Sequence, residues 1–243
     1  MMVDVVKSQD RTSPPPRQGI IRATNARYGG VLLLVGVVGF LAGMAVAEIG
    51  YGPSYSLSQN LLSDLGVTSC GMIDSTGRYA CSPWFIAFDA ATVVLGLLVI
   101  YAAVWILRAF FPGTLRTAGL GLLAVNGVGL IVAGTTPENV NYSIHSAFAL
   151  LAFACGALAL ATLGLAMRGT DHWSGFEPYT VASGVVSAVA LFLFVAGADL
   201  GLGPGGMERL LVAPILLWSV VVGIHLVRTP ASALGPAEAR SAS

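Results

Sequence analysis

Residues 29–47 read GGVLLLVGVVGFLAGMAVA, a run without one charged side chain. Coiled as an α-helix it rises about 28 Å, close to the ~30 Å of a bilayer's hydrocarbon core. Basic residues precede it and Ala45-Val46-Ala47 close it, so it imitates a secretory signal with a small-residue cleavage site. The apolar part of such signals is about 7–15 residues long. This run is longer, so it reads as a retained membrane span.

Five further apolar segments follow, near 84–107, 117–134, 144–167, 180–198 and 209–227. Composition agrees: 56% of the 243 residues are hydrophobic, 10% are charged, and the mean hydropathy is positive. These values lie far outside soluble globular usage. The sequence therefore predicts an all-α, polytopic membrane protein, a six-transmembrane-helix bundle over residues 28–228. Residues 1–27, with Pro14-Pro15-Pro16, and residues 229–243, rich in Ala and Ser, read as disordered cytoplasmic tails. A formal net charge of zero gives no bulk attraction for nucleic acid, which leaves membrane lipids as the expected partners.

Charge is informative by position. With the N-terminus inside the cell membrane, Lys7, Arg11, Arg17, Arg22, Arg27, Arg108, Arg116, Arg168, Arg228 and Arg240 are all cytoplasmic. Only Arg78 and Arg209 fall outside, so the positive-inside rule predicts that both termini are cytoplasmic. The acids distribute differently. Glu48, Asp64, Asp74, Asp89, Glu138, Asp199 and Glu208 all fall at or beyond the outer helix ends. Asp89 lies a few residues inside the second span, where a carboxylate is costly and ordinarily faces a cavity, a partner or water.

Three outer stretches carry the polar chemistry. In LSQNLLSDLG (57–66), projection at 100° per residue puts Leu57, Leu61, Leu62 and Leu65 on one side and Gln59, Asn60, Ser63 and Asp64 on the other. This predicts a short amphipathic outer helix after the first span. It lacks the Lys and Arg that grip lipid headgroups, so its polar side is expected to face protein or a solvated cavity. In TTPENVNYSIH (135–145), Pro137 ends the third span and Asn141 or Ser143 caps the fourth. His145 then sits in a first helical turn, where the dipole favours a neutral imidazole able to accept a proton or ligate a metal. In ADLGLGPGGMERLLVAP (198–214), Glu208 and Arg209 stand at the entrance to the sixth span. Arg209 opposes the dipole there and wants a carboxylate or an anionic ligand. DLGVTSCGM (64–72) and DLGLGPGGM (199–207) agree at five of nine positions, a faint internal echo.

Cys70 and Cys81 share the first outer loop and are candidates for a disulfide, while Cys155 is alone in the fourth span. Histidines are too few for bis-His haem or a multi-His zinc hydrolase, and no phosphate loop, HExxH or GxSxG occurs.

Three motifs in order, YSLSQNLLSDLG, PENVNYSIH and GGMERLLVAPILLW, resemble the prokaryotic six-helix membrane family called domain of unknown function 998. The resemblance covers roughly residues 28–228. It implies the six-span fold and no activity, and it places Asn60, Ser63, Asp64, Glu138, His145, Glu208 and Arg209 at motif positions.

The residues leave several functions open. In one, Asp64, Glu138 and His145 are catalytic acid/base groups or hold a divalent metal, and Asn60, Ser63, Asp89, Glu208 and Arg209 bind a lipid ligand. In another, the same groups lock helix ends in a non-catalytic scaffold or subunit. A small-solute transporter is a third, built on Asn126 and the glycines around it, although no charge lies at mid-span.

Overall fold

The computed structural model describes residues 17–51, 54–73, 77–110 and 113–234. Among them are six helices long and apolar enough to cross a membrane: α1 (Arg17–Tyr51), α2 (Phe85–Ala109), α3 (Thr114–Thr135), α4 (Tyr142–Met167), α5 (Phe176–Val195) and α6 (Gly203–Arg228). Large apolar side chains point outward, with Val38 64%, Phe192 73% and Leu217 60% exposed. That is the exterior of a protein whose surroundings are hydrocarbon. The start of α1 and the end of α6 lie at one end of the bundle, called proximal below. The loops α1–α2, α3–α4 and α5–α6 lie at the other, the distal end.

Each helix packs on its sequence neighbours, and α6 returns to α1, so the six form a closed ring. Helix α4 also reaches α6 across the interior. Without a hydrophobic drive between helices in lipid, such contacts depend on close van der Waals approach. The α2–α3 crossing shows how this is met. A Cβ on Gly96 would meet the Gly127 carbonyl, and one on Gly127 would meet the Gly96 carbonyl, so the two backbones touch where only hydrogen fits.

Helix ends follow local chemistry. Helix α3 stops ahead of Pro137, and α4 begins at an N-cap in which Asn141 Oδ1 accepts from the Ile144 N–H at 3.1 Å. Helix α1 starts at Arg17, so residues 17–27, expected as tail, are helical. They continue the first span by about three turns. The C-terminal segment 229–234 holds a 3-10 turn, Ala231–Leu234, packed on α1. Residues 1–16 and 235–243 of the expected tails lie outside the described residues.

The distal α1–α2 connection is the most elaborate. Its short outer helix is one 3-10 turn, Ser63–Gly66, and residues 57–62 are turns and bends, where a short amphipathic helix over 57–66 was expected. Two side chains account for the difference. Asn60 Oδ1 takes the Ser56 N–H at 3.0 Å, and Asp64 Oδ2 takes the Leu61 N–H at 3.0 Å. Asx side chains bonded to nearby backbone offer the chain an alternative to the helical ladder. A small antiparallel hairpin follows, β1 (Gly71–Ile73) and β2 (Arg78–Ala80), with Cys70 and Cys81 joined as a disulfide across its base. Asp74 lies outside the described residues.

Candidate functional site

The hairpin aims Arg78 at two carboxylates. Its Nη1 lies 2.9 Å from Asp64 Oδ1, and its Nη2 donates to both oxygens of Glu138 at 3.0 and 2.9 Å. Asp64 and Glu138 are buried, while Arg78 is 20% exposed, so the pairing happens in a largely dry site. Around it, Asn60 Nδ2 donates to Asp64 Oδ2 at 2.9 Å and Ser63 Oγ donates to Glu138 Oε2 at 3.2 Å. Burial pushes the Glu138 carboxyl up to about 7; Arg78 opposes this and Asp64 adds to it. One guanidinium for two acids ties the 3-10 turn, the hairpin and the α3–α4 loop into one unit.

Arg209 makes a second lock. Its Nη1 donates to the carbonyls of Leu57, Asn60 and Gly205 at 3.0, 2.9 and 3.0 Å, and its Nη2 donates to the Tyr55 hydroxyl. Glu48 Oε1 stands 3.8 Å away. Tyr55 in turn donates to the Leu61 carbonyl, and burial holds its phenol well above the usual range. The N–H groups of Gly205 and Gly206 reach the Ser58 carbonyl, and Glu208 Oε2 accepts from the Leu62 N–H. The loop after α1 is thus stitched to the start of α6. Glu48 supplies the carboxylate expected beside Arg209, and backbone carbonyls take the hydrogen bonds of its Nη1.

Beneath the 3-10 turn lies a cavity of about 90 Å³ among α1, α2, α3, α4 and α6. Its wall runs down α2 from Asp89 to Val99 and down α6 from Glu208 to Ser219. Ten or so residues of helix correspond to a depth of about 15 Å. Most of the wall is apolar, including Phe40, Leu95, Leu123, Phe153 and Ile215. Asn126 lines its deeper part and gives its side-chain N–H to the Ala152 carbonyl at 2.8 Å. Polar groups gather at the distal end: Ser63, Asp89, His145 and Glu208. Asp89 packs against the 3-10 turn so closely that a Cβ on Gly66 would strike its Oδ1. Among the described residues, nothing hydrogen-bonds its carboxyl. His145 Nδ1 lies 3.1 and 3.0 Å from the carbonyls of Ala133 and Thr136. Carbonyls only accept, so Nδ1 carries the proton and Nε2 is the acceptor of the neutral ring.

The sequence candidates therefore divide into two groups. Asp64, Glu138, Asn60 and Arg209 hold the loops together, whereas Asp89, His145, Ser63 and Glu208 face the cavity. Ser63 and Glu208 belong to both. A divalent metal does not suit Asp64 and Glu138, because Arg78 bridges them. Among the described residues, no group of three or more His, Cys, Asp and Glu is placed to hold an ion. Arg78 was not among the sequence candidates, although its signal was present: among the described residues it is one of only two basic residues at this acid-rich end. Tyr55 gave no such signal.

No curated protein and no solved structure matches the chain. The family described as "protein of unknown function (DUF998)" matches residues 34–225, which takes in the cavity and most of both locks, and the chain belongs to that family.

Proposed function

We propose that this protein is a lipid-handling protein of the cell membrane, holding a single apolar chain in the cavity with a polar head against Asp89, His145 and Ser63. The observation that carries the reading is the lining of the cavity: mostly apolar, extending about 15 Å along α2 and α6, with its ionisable groups at one end only. Burial of methylenes cannot by itself draw a chain out of the bilayer, since lipid tails are as apolar as the wall. Filling a dry void gains dispersion contacts, and the polar end supplies selectivity. If the lipid is also chemically changed, His145 and Asp89 are the groups for acid/base work. Asp64 and Glu138 are engaged by Arg78.

The charge distribution supports an orientation with both termini cytoplasmic and the cavity's polar end outside. Fluorescent-protein and alkaline-phosphatase fusions at the C-terminus test it: fluorescence without phosphatase activity is expected, and the reverse pattern overturns it. A scaffold is the second reading, favoured by the two locks, which consume most of the distal polar groups internally.

Mass spectrometry of lipids co-purifying with the wild type and with Ala149→Phe or Val99→Phe separates the two readings. Both positions line the cavity, and phenylalanine fills it. Lipid lost from the folded variants supports lipid handling. Equal lipid in all three supports the scaffold.

A further inference from the structure

We infer that the head of the cavity's occupant is a hydrogen-bond donor, a hydroxyl or an ammonium, and not a phosphate or carboxylate. The inference rests on the lipid-handling reading and concerns the selectivity of the same cavity. Its ionisable lining residues are Asp89, His145 and Glu208, and no Lys or Arg lines it. The two guanidiniums of the distal end are directed elsewhere: Arg78 to Asp64 and Glu138, Arg209 to backbone carbonyls and Tyr55.

The remaining groups are acceptors. Asp89 offers its carboxyl oxygens, with no hydrogen bond from any described residue. His145 commits Nδ1–H to backbone carbonyls and leaves Nε2, whose lone pair accepts. The Ser63 hydroxyl spends its proton on Glu138 and keeps its lone pairs. Glu208 takes the Leu62 N–H with one oxygen of its carboxyl group. At the distal end an anionic head would meet carboxylates and lone pairs, with no cation among the described lining residues to compensate its desolvation; the Asn126 amide lies deeper and donates to the Ala152 carbonyl. A protonated Asp89 would supply a hydrogen bond but no positive charge. A hydroxyl or ammonium would satisfy Asp89 and Nε2 together, and an ammonium would also neutralise the half-buried Asp89 carboxylate, which has no ion-pair partner among the described residues.

Three probes of one chain length test this below their micellar concentrations: monolaurin for the hydroxyl, dodecylamine for the ammonium and dodecyl phosphate for the anion. Binding is read by native mass spectrometry and thermal shift on the wild type, Asp89→Asn, His145→Gln and Ala149→Phe. Monolaurin or dodecylamine is expected to bind at least about ten-fold more tightly than dodecyl phosphate. Asp89→Asn should weaken dodecylamine about ten-fold and monolaurin less. His145→Gln should weaken monolaurin, and Ala149→Phe should abolish both. Stronger binding by monolaurin marks the hydroxyl as the head; stronger binding by dodecylamine marks the ammonium. Dodecyl phosphate binding as tightly as either, in a manner lost in Ala149→Phe, overturns the donor-head inference and leaves the lipid-handling reading standing. No binding by any probe, or binding indifferent to Ala149→Phe, overturns both.

Discussion

Replacing Arg78 with alanine removes the one guanidinium among the described residues that touches Asp64 and Glu138, both of which are buried behind it. Removing one partner of a buried ion pair leaves an uncompensated charge and costs about 3–5 kcal/mol. Here one cation serves two carboxylates, so the upper part of that range applies at neutral pH. For a chain of this length each kcal/mol moves the melting temperature by about 2–4 °C, which places the expected loss near 10–15 °C. Cys155 is buried and is the free cysteine of the chain, so a thiol-reactive fluorophore reports unfolding in detergent without an added label.

The pH dependence has a definite sign. Glu138 titrates near 7 in the fold, above its ordinary 4.5, so its contribution to stability is full below about pH 4.5 and is lost as pH rises through 7. Arg78 holds that value down. In Arg78→Ala the loss should therefore extend above pH 7, and the gap between variant and wild type should narrow toward pH 5, where the Glu138 carboxyl of the variant can take up a proton. A shift under about 2 °C at pH 7.5, or a gap that widens on acidification, would refute the picture of a dry two-acid lock.

Other parts of the distal architecture give separate tests. Cys70→Ser with Cys81→Ser should lower stability by about 2–4 kcal/mol, as does adding reductant to the wild type; thermal unfolding with and without reductant checks this, and reductant should leave the double variant unchanged. Gly205→Ala places a Cβ against the Asn60 carbonyl, so the α6 entrance and the 57–60 turn cannot both keep their positions. Overpacking costs about 1–3 kcal/mol, and trypsin cleavage at Arg209, freed from its carbonyl partners, should accelerate. Arg209→Lys retains charge but cannot reach several carbonyls from one planar fork. It should lose most of the stability that Arg209→Ala loses, measured by the same unfolding assay.

What the sequence made legible was what depends on composition and periodicity. Six apolar runs long enough to span a bilayer define the helices, and clustering of acids at one set of helix ends located the polar region. The ends drifted where apolarity was a poor guide: α1 extends through Arg17, Arg22 and Arg27, because a helix continues past the hydrocarbon as long as its backbone bonds are satisfied. The stretch 57–66 misled for a different reason. Its leucines repeat at helical spacing, but Asn60 and Asp64 spend their oxygens on the local backbone. No projection onto a helical wheel shows that choice.

Of the distal polar groups, the sequence pointed to the acids and His145 but neither to Arg78 and Tyr55 nor to how the groups pair. Asp64, Glu138 and His145 come from loops and helix ends that do meet at the distal end, yet Arg78 bridges the two acids while His145 bonds carbonyls of its neighbouring helix. Which carboxylate gains the guanidinium and which faces the void depends on where the hairpin folds back, a contact between residues 60 or more positions apart. The cavity wall combines small residues of α3 and α4, Ala133, Gly134 and Ala149, with large ones of other helices, such as Phe40, Leu95 and Ile215. Spacing along one helix carries no trace of that combination.

The central claim is that a lipid chain enters the bundle, and photo-crosslinking tests it most directly. A lipid with a diazirine near the end of its chain, irradiated with the protein in membranes and mapped by peptide mass spectrometry, should label Leu95, Leu123 or Ile215 on the cavity wall, and Ala149→Phe should erase that labelling. Labelling confined to the outward-facing Val38, Phe192 and Leu217, unchanged in Ala149→Phe, would contradict it.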